Sequence, residues 1–76
     1  MKDIQTQLEE NGWVIDRWYN WKKTINGTIY RLKIEQKVYR LEHQIISGTW
    51  SKINDKVVYK SKHTINDVLD MFPKQL

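Results

Sequence analysis

The sequence contains no cysteine, and this absence removes several chemistries at once. Disulfide bonds, thiolate nucleophiles and cysteine-ligated zinc sites are all excluded. The chain also lacks any apolar run of membrane-spanning length, and its first residues carry no apolar stretch of the signal-peptide kind. These features predict an intracellular protein, which we expect to be cytoplasmic and to have no membrane partner.

Alanine is also absent, whereas isoleucine, lysine and asparagine are abundant. This bias is typical of an AT-rich genome, and with the small size it suggests a phage, prophage or mobile-element protein. The length of 76 residues is enough for one domain, so we expect residues 1–76 to form a single small α+β domain. Because no disulfide assists folding, the four tryptophans, four tyrosines and one phenylalanine must carry much of the core.

Large apolar residues fall on alternate positions from Trp13 to Tyr59, and the parity changes at each expected turn. This pattern is typical of an antiparallel meander with one buried face. Asn26-Gly27 is the strongest hairpin signal, and further turns are expected at Gln36-Lys37, at Ser47-Gly48 and near Asn54-Asp55. The predicted cross-strand pairs are Tyr19–Ile34, Trp21–Leu32, Ile34–Tyr39, Leu32–Leu41, Tyr30–His43, Ile45–Trp50, Trp50–Tyr59 and Lys52–Val57.

A short helix is predicted at each end of the chain. Asp3 can cap a helix over residues 4–10, which Asn11-Gly12 would end. Thr64 and Asp67 have capping-box spacing and precede an apolar stripe that runs to Pro73. The expected architecture is α-β-β-β-β(-β)-α, a four- or five-stranded antiparallel meander sheet with both helices packed on one face.

The same register gives the sheet a polar outer face on which basic residues dominate. Lys33 falls opposite Arg40, and the net charge of +4 favours an anionic partner. Trp18 has the parity of this face and would stand exposed among the cations, where an indole can stack on a base. The candidate nucleic-acid-binding residues are Trp18, Lys22, Arg31, Lys33, Arg40, Lys60 and Lys62.

No catalytic constellation can be assembled from the sequence. There is no glycine-rich phosphate loop, nucleophile elbow or paired-histidine metal motif. His43 is expected in the core, and His63 precedes a helix cap. We therefore predict a non-enzymatic basic binding module for nucleic acid, without a cofactor, metal ion or catalytic residue. The alternative is a protein-interaction module, either a homodimer or a small inhibitor of a host protein, that uses the same face with Trp18 as its anchor.

The segment from Leu8 to Trp13, followed by Arg17, resembles the helix-to-strand entry of HicA-type toxins. The resemblance implies a small RNA-cleaving protein with a double-stranded-RNA-binding-like α-β-β-β-α fold. That family carries a Gly-Ser-His segment on its first hairpin, where this chain has Asn20 to Lys23 and no histidine. Because this histidine is missing, the RNA-cleaving activity of that family is not expected of this chain. A degenerate nuclease is therefore a third alternative.

Overall fold

The computed structural model describes residues 3–53 and 57–74. An antiparallel sheet in the strand order β1-β2-β3-β4-β5 carries both helices on one face, and β6 also pairs with β4. The α+β meander predicted from the alternation is thus confirmed. In chain order the elements are α1 (Ile4–Glu10), β1 (Val14–Ile15), β2 (Trp21–Ile25), β3 (Thr28–Ile34), β4 (Val38–Gln44), β5 (Trp50–Lys52), β6 (Val58–Tyr59) and α2 (Ile65–Leu69).

Both helices begin where their capping residues predict. The Asp3 carboxylate accepts a hydrogen bond from the Thr6 amide at 2.7 Å, which satisfies a free N–H of the first turn of α1. In α2 the Thr64 hydroxyl and the Asp67 carboxylate each accept from the other residue's amide, which completes the capping box. The α2 helix ends at Leu69, several residues before Pro73, so the predicted helix is too long.

The two central hairpins have the predicted registers. Asn26 and Gly27 both have positive φ, 51° and 86°, as a tight turn between twisted strands requires. This turn places Trp21 opposite Leu32. The next connection has poor turn chemistry, yet it pairs Leu32 with Leu41 and Tyr30 with His43 as predicted.

The connection between β4 and β5 differs from the prediction by one residue. Trp50 lies opposite Gln44 and not opposite Ile45. The Ile45 amide donates to Thr49 O at 2.9 Å, which leaves a three-residue loop in which Gly48 has a φ of 87°. Because side chains alternate along a strand, the extra loop residue moves Trp50 from the expected core face to the outer face.

The last strand also pairs differently from the prediction. Trp50 was expected opposite Tyr59, but β6 pairs with β4, where Tyr59 lies opposite Val38 and Val58 opposite Tyr39. The two short strands β5 and β6 thus share one edge of β4, and Lys52 lies opposite Glu42 and not Val57. Val58 is consequently buried and Tyr59 exposed, the reverse of the expected orientation. The turn predicted near Asn54-Asp55 lies outside the described residues.

Apolar residues from both helices and the sheet form one core cluster, joined by Phe72 beyond α2. Three further residues expected on this buried face, Ile15, Tyr19 and Ile45, are instead exposed. Tyr19 and Ile45 lie in connections between strands, and Ile15 lies in the short edge strand β1. Within residues 3–53 and 57–74, no helix is long and apolar enough to cross a membrane. The buried core comprises Leu8, Trp13, Trp21, Ile25, Leu32, Tyr39, Leu41, Val58, Ile65, Val68 and Phe72.

Candidate functional site

The four strand cations of the predicted interface share the outer face of the sheet. Lys22 pairs with Arg31 across β2 and β3, and Lys33 pairs with Arg40 across β3 and β4. Trp18 lies outside the strands, in a turn before β2, and 65% of its surface is exposed. Its exposure therefore follows from the turn and not from its parity in the sheet. The two cross-strand pairs, Lys22–Arg31 and Lys33–Arg40, therefore lie on the outer face. What each cation can bind depends on the side chains around it.

Trp50 covers the middle of this face. The Arg31 guanidinium carbon lies 4.1 Å from the centre of the Trp50 ring, and Lys22 Nζ lies 5.7 Å from it. Arg31 Nε also donates to Glu42 Oε1 at 2.8 Å, and only 15% of the Arg31 side chain is exposed. A guanidinium held by both an indole and a carboxylate is not free to take a phosphate.

Two further cations of the predicted interface have carboxylate partners within the fold. Lys22 Nζ lies 3.2 Å from Asp16 Oδ2, and Arg40 forms an ion pair with Glu35. Like charges that face each other across strands repel, and the Arg40–Glu35 pair relieves the repulsion between Lys33 and Arg40. Within the part of the chain that the structure describes, Lys33 has no carboxylate partner.

Residues Asp16 to Asn20 form a turn that we call the aromatic turn. Asp16 Oδ1 accepts hydrogen bonds from the amides of Trp18 at 2.8 Å and Asn20 at 3.0 Å. The Asp16 amide donates to Asn20 O at 2.9 Å, which closes the turn. Tyr19 lies at its tip with a φ of 61° and 81% of its surface exposed. Sequence alternation had placed Tyr19 in the sheet, and it missed this turn.

The electrostatics of the aromatic turn follow from the environment of Asp16. Desolvation raises the pKa of Asp16, but hydrogen bonds from the Asn20 and Trp18 amides and the nearby Lys22 ammonium outweigh it, so the pKa lies below 3.8. Asp16 is therefore ionised at neutral pH and ties the turn to β2. An aspartate two residues before Trp18 and four before Asn20 is the sequence signal that could have revealed this turn.

A shallow groove of about 380 Å³ joins the aromatic turn to the outer face. Trp18 and Tyr19 border it from the turn, and Lys33 and Arg40 border it from the strands. The Arg17 guanidinium lies over the Trp18 ring, 4.9 Å from its centre, and adds a cation that the sequence argument did not select. The full lining consists of Trp18, Tyr19, Asn20, Lys33, Ile34, Glu35, Arg40 and Glu42.

Lys60 and Lys62 follow β6, at the same end of the sheet as the groove. Lys60 Nζ donates to Glu35 O at 3.2 Å and lies 5.8 Å from the centre of the Tyr39 ring. Lys62 is exposed in the turn after β6, where its amide donates to Tyr59 O at 3.1 Å. Neither side chain lines the groove, so these two lysines flank the site and do not form it.

The two histidines lie apart from the groove. His43 is half-buried, and its ring lies nearly parallel to that of Tyr30, with centres 6.4 Å apart. His63 Nδ1 lies 3.3 Å from Tyr59 O, just before α2. His63 precedes α2 as the sequence predicts, whereas His43, which is expected in the core, is only half-buried and lies outside the core cluster.

Comparisons of the chain with protein-family models, with curated proteins and with solved structures find no significant match. The resemblance to HicA-type toxins between Leu8 and Arg17 is therefore a local one. The groove and its surroundings are therefore the features from which a function can be inferred.

Proposed function

We propose that this protein is a small, non-enzymatic module that binds nucleic acid at the groove between the aromatic turn and the outer face of the sheet. The observation that carries the proposal is an exposed Trp18 bordering the same groove as Lys33, a cation without a carboxylate partner among the described residues. An indole offers a stacking surface for a base, and an ammonium group neutralises a phosphate. The net charge of +4 favours the approach of a polyanion.

The paired cations have a different role in this proposal. Lys22, Arg31 and Arg40 each have a carboxylate partner, so they mainly hold the outer face together. Lys33 then makes the principal phosphate contact, and Lys60 and Lys62 contribute to the field at the same end of the sheet. Composition supports the further proposal of a phage or mobile-element protein that acts in the cytoplasm.

The test compares two lysine variants that remove the same charge. Lys33→Ala changes the groove, whereas Lys74→Ala changes an exposed lysine near the Asn26 turn, at the opposite end of the sheet. Lys74 pairs with Asp70 at 3.2 Å, but both side chains are largely exposed, so the loss of this pair should cost little. Binding of labelled single-stranded and duplex oligonucleotides is measured by fluorescence anisotropy over a range of salt concentrations. We expect Lys33→Ala to weaken binding and to lower the salt slope by about 0.7 to 0.9, the contribution of one phosphate contact.

Lys74→Ala should leave both the affinity and the salt slope near those of the wild type. Equal effects of the two variants would mean that only net charge matters and that the groove is not the site. If the wild-type protein binds no oligonucleotide even at low salt, the proposal fails.

A protein partner is the second candidate, and one observation favours it. Val14 and Ile15 form the exposed edge strand β1, and 69% of the Val14 surface is open to solvent. An apolar edge strand beside exposed aromatic residues is a typical contact surface for another chain. Sedimentation of the wild type and of Val14→Lys at two concentrations tests the homodimer, which predicts a concentration-dependent mass only for the wild type.

A further inference from the structure

The backbone of Tyr19 is in a conformation that tyrosine seldom adopts. Its φ of 61° lies in the left-handed region, where an L side chain crowds the following carbonyl group. Glycine or asparagine would be the favourable residue at this position. Because 81% of the Tyr19 surface is exposed, little packing within the fold compensates for this strain. A large aromatic ring at a strained, exposed position indicates a role outside the stability of the fold.

Contacts within the chain hold the aromatic turn in place. Asp16 accepts from two amides of the turn through Oδ1, and its Oδ2 lies 3.2 Å from Lys22 Nζ on β2. The turn is thereby fixed at both ends and attached to the sheet. Rings on a fixed backbone lose less conformational entropy on binding than rings on a mobile loop.

The rings of the turn and the cations of the sheet face one groove. Trp18 and Tyr19 are consecutive residues that both border it, and Lys33 borders it from β3. The Arg17 guanidinium lies over the Trp18 ring, and Arg17 has no carboxylate partner among the described residues. Two neighbouring aromatic surfaces with unpaired cations beside them match the alternating bases and phosphates of a single strand. In a duplex the bases are stacked on each other and do not offer free faces.

We infer that the groove binds single-stranded nucleic acid, with Trp18 and Tyr19 stacking on bases and Lys33 contacting the phosphate backbone. This inference rests on the proposed function and specifies its ligand. The strained backbone of Tyr19 places a second ring beside Trp18 at the groove. Tyr19 is therefore the most informative position to change.

The experiment uses Tyr19→Asn, which removes the ring and accepts the left-handed backbone, and Tyr19→Phe, which keeps the ring. Labelled oligo-dT, oligo-U and a duplex of the same length are titrated with the full chain, and anisotropy is recorded. We expect Tyr19→Asn to weaken single-strand binding by about tenfold or more, the effect of losing one stacked base, with an unchanged salt slope. Tyr19→Phe should bind as the wild type does.

The thermal unfolding temperature of the same variants distinguishes a role of Tyr19 in binding from a role in the stability of the fold. Tyr19→Asn should unfold at the same temperature as the wild type or at a higher one, because the strain is relieved. A clear fall in unfolding temperature would assign Tyr19 to the fold and overturn the inference.

The outcomes separate this inference from the proposed function. Tighter binding of either oligo-dT or oligo-U than of the duplex supports the inference, and the ratio of the two affinities shows whether DNA or RNA is preferred. Equal binding of duplex and single strands, with Tyr19→Asn unaffected, would overturn the inference and leave the proposed function standing. Failure to bind any oligonucleotide would overturn both and favour the protein partner.

Discussion

Replacing Trp50 with leucine tests the cluster that Trp50 forms with Arg31 and Glu42 on the outer face. If the cluster exists, the resulting loss in the free energy of unfolding should depend on the presence of Arg31. Leucine keeps an apolar cover but removes the aromatic face that lies 4.1 Å from the guanidinium. Cation–π contacts contribute about 0.5–1 kcal/mol when exposed and about 2 kcal/mol when desolvated. Since only 15% of the Arg31 side chain is exposed, we expect a Trp50–Arg31 coupling of about 1–2 kcal/mol.

The coupling is measured with a double-mutant cycle of wild type, Trp50→Leu, Arg31→Met and the double variant. Arg31→Met leaves Glu42 without its partner, but this cost occurs in both variants that lack Arg31 and cancels in the cycle. Unfolding in urea is followed by far-UV circular dichroism. With a urea dependence of about 1 kcal/mol per molar for a small domain, the coupling corresponds to a midpoint difference of about 1–2 M.

Lys33→Met provides the matched control, because Lys33 lies on the same face of β3, two residues from Arg31, and makes no cation–π contact with Trp50. Its effect and that of Trp50→Leu should add to within about 0.5 kcal/mol. A Trp50–Arg31 coupling as small as this control would refute the cluster.

Two other predictions concern turns and pH. Gly27→Ala should lower the free energy of unfolding by about 1–2 kcal/mol, measured by urea unfolding, because a φ of 86° is unfavourable for alanine although a Cβ there meets no atom within 4 Å. Gly27→Asn should lose less, and equal losses would contradict a conformational cause. The hydrogen bonds from Thr6 lower the pKa of Asp3 in the folded protein, and the pKa of Asp16 is lowered as well. The stabilisation of the fold by these two ionised carboxylates should therefore be complete above pH 3.8, the ordinary pKa of aspartate, and should disappear as the pH falls through their lower pKa values in the folded state. The difference in urea midpoint between wild type and Asp3→Asn/Asp16→Asn should shrink in this range, and a constant difference would contradict the assignment.

Much of the fold was predictable because local and periodic signals agreed. Asn26-Gly27 fixes one hairpin through its left-handed backbone, and alternation on both sides then sets the register of β2, β3 and β4. The helix caps were equally local, since each uses a side chain that reaches an amide three residues away. Such features depend on neighbours in the sequence and are therefore visible in it.

The predicted registers of β5 and β6 were wrong because one additional residue in a connection reverses the face of every side chain in the strand that follows. A three-residue loop with left-handed Gly48 replaced the expected two-residue turn and moved Trp50 to the outer face. β6 then paired with β4, at the edge left open beyond β5, and this choice reversed Val58 and Tyr59. Loop length and strand partner depend on long-range pairing, which alternation does not encode.

The candidate site divides in the same way. The outer-face positions of the four strand cations could be predicted from the sequence, because parity in a paired sheet decides the face of each side chain. The exposure of Trp18 has another cause, since Trp18 lies in the aromatic turn and not in a strand. Which of these cations are free could be seen only in the folded protein: Arg31 is held by Glu42 beneath Trp50, whereas Lys33 faces the groove. Ion pairs and ring contacts join residues from different strands, so the availability of a charge is a property of the folded surface and not of the charge itself.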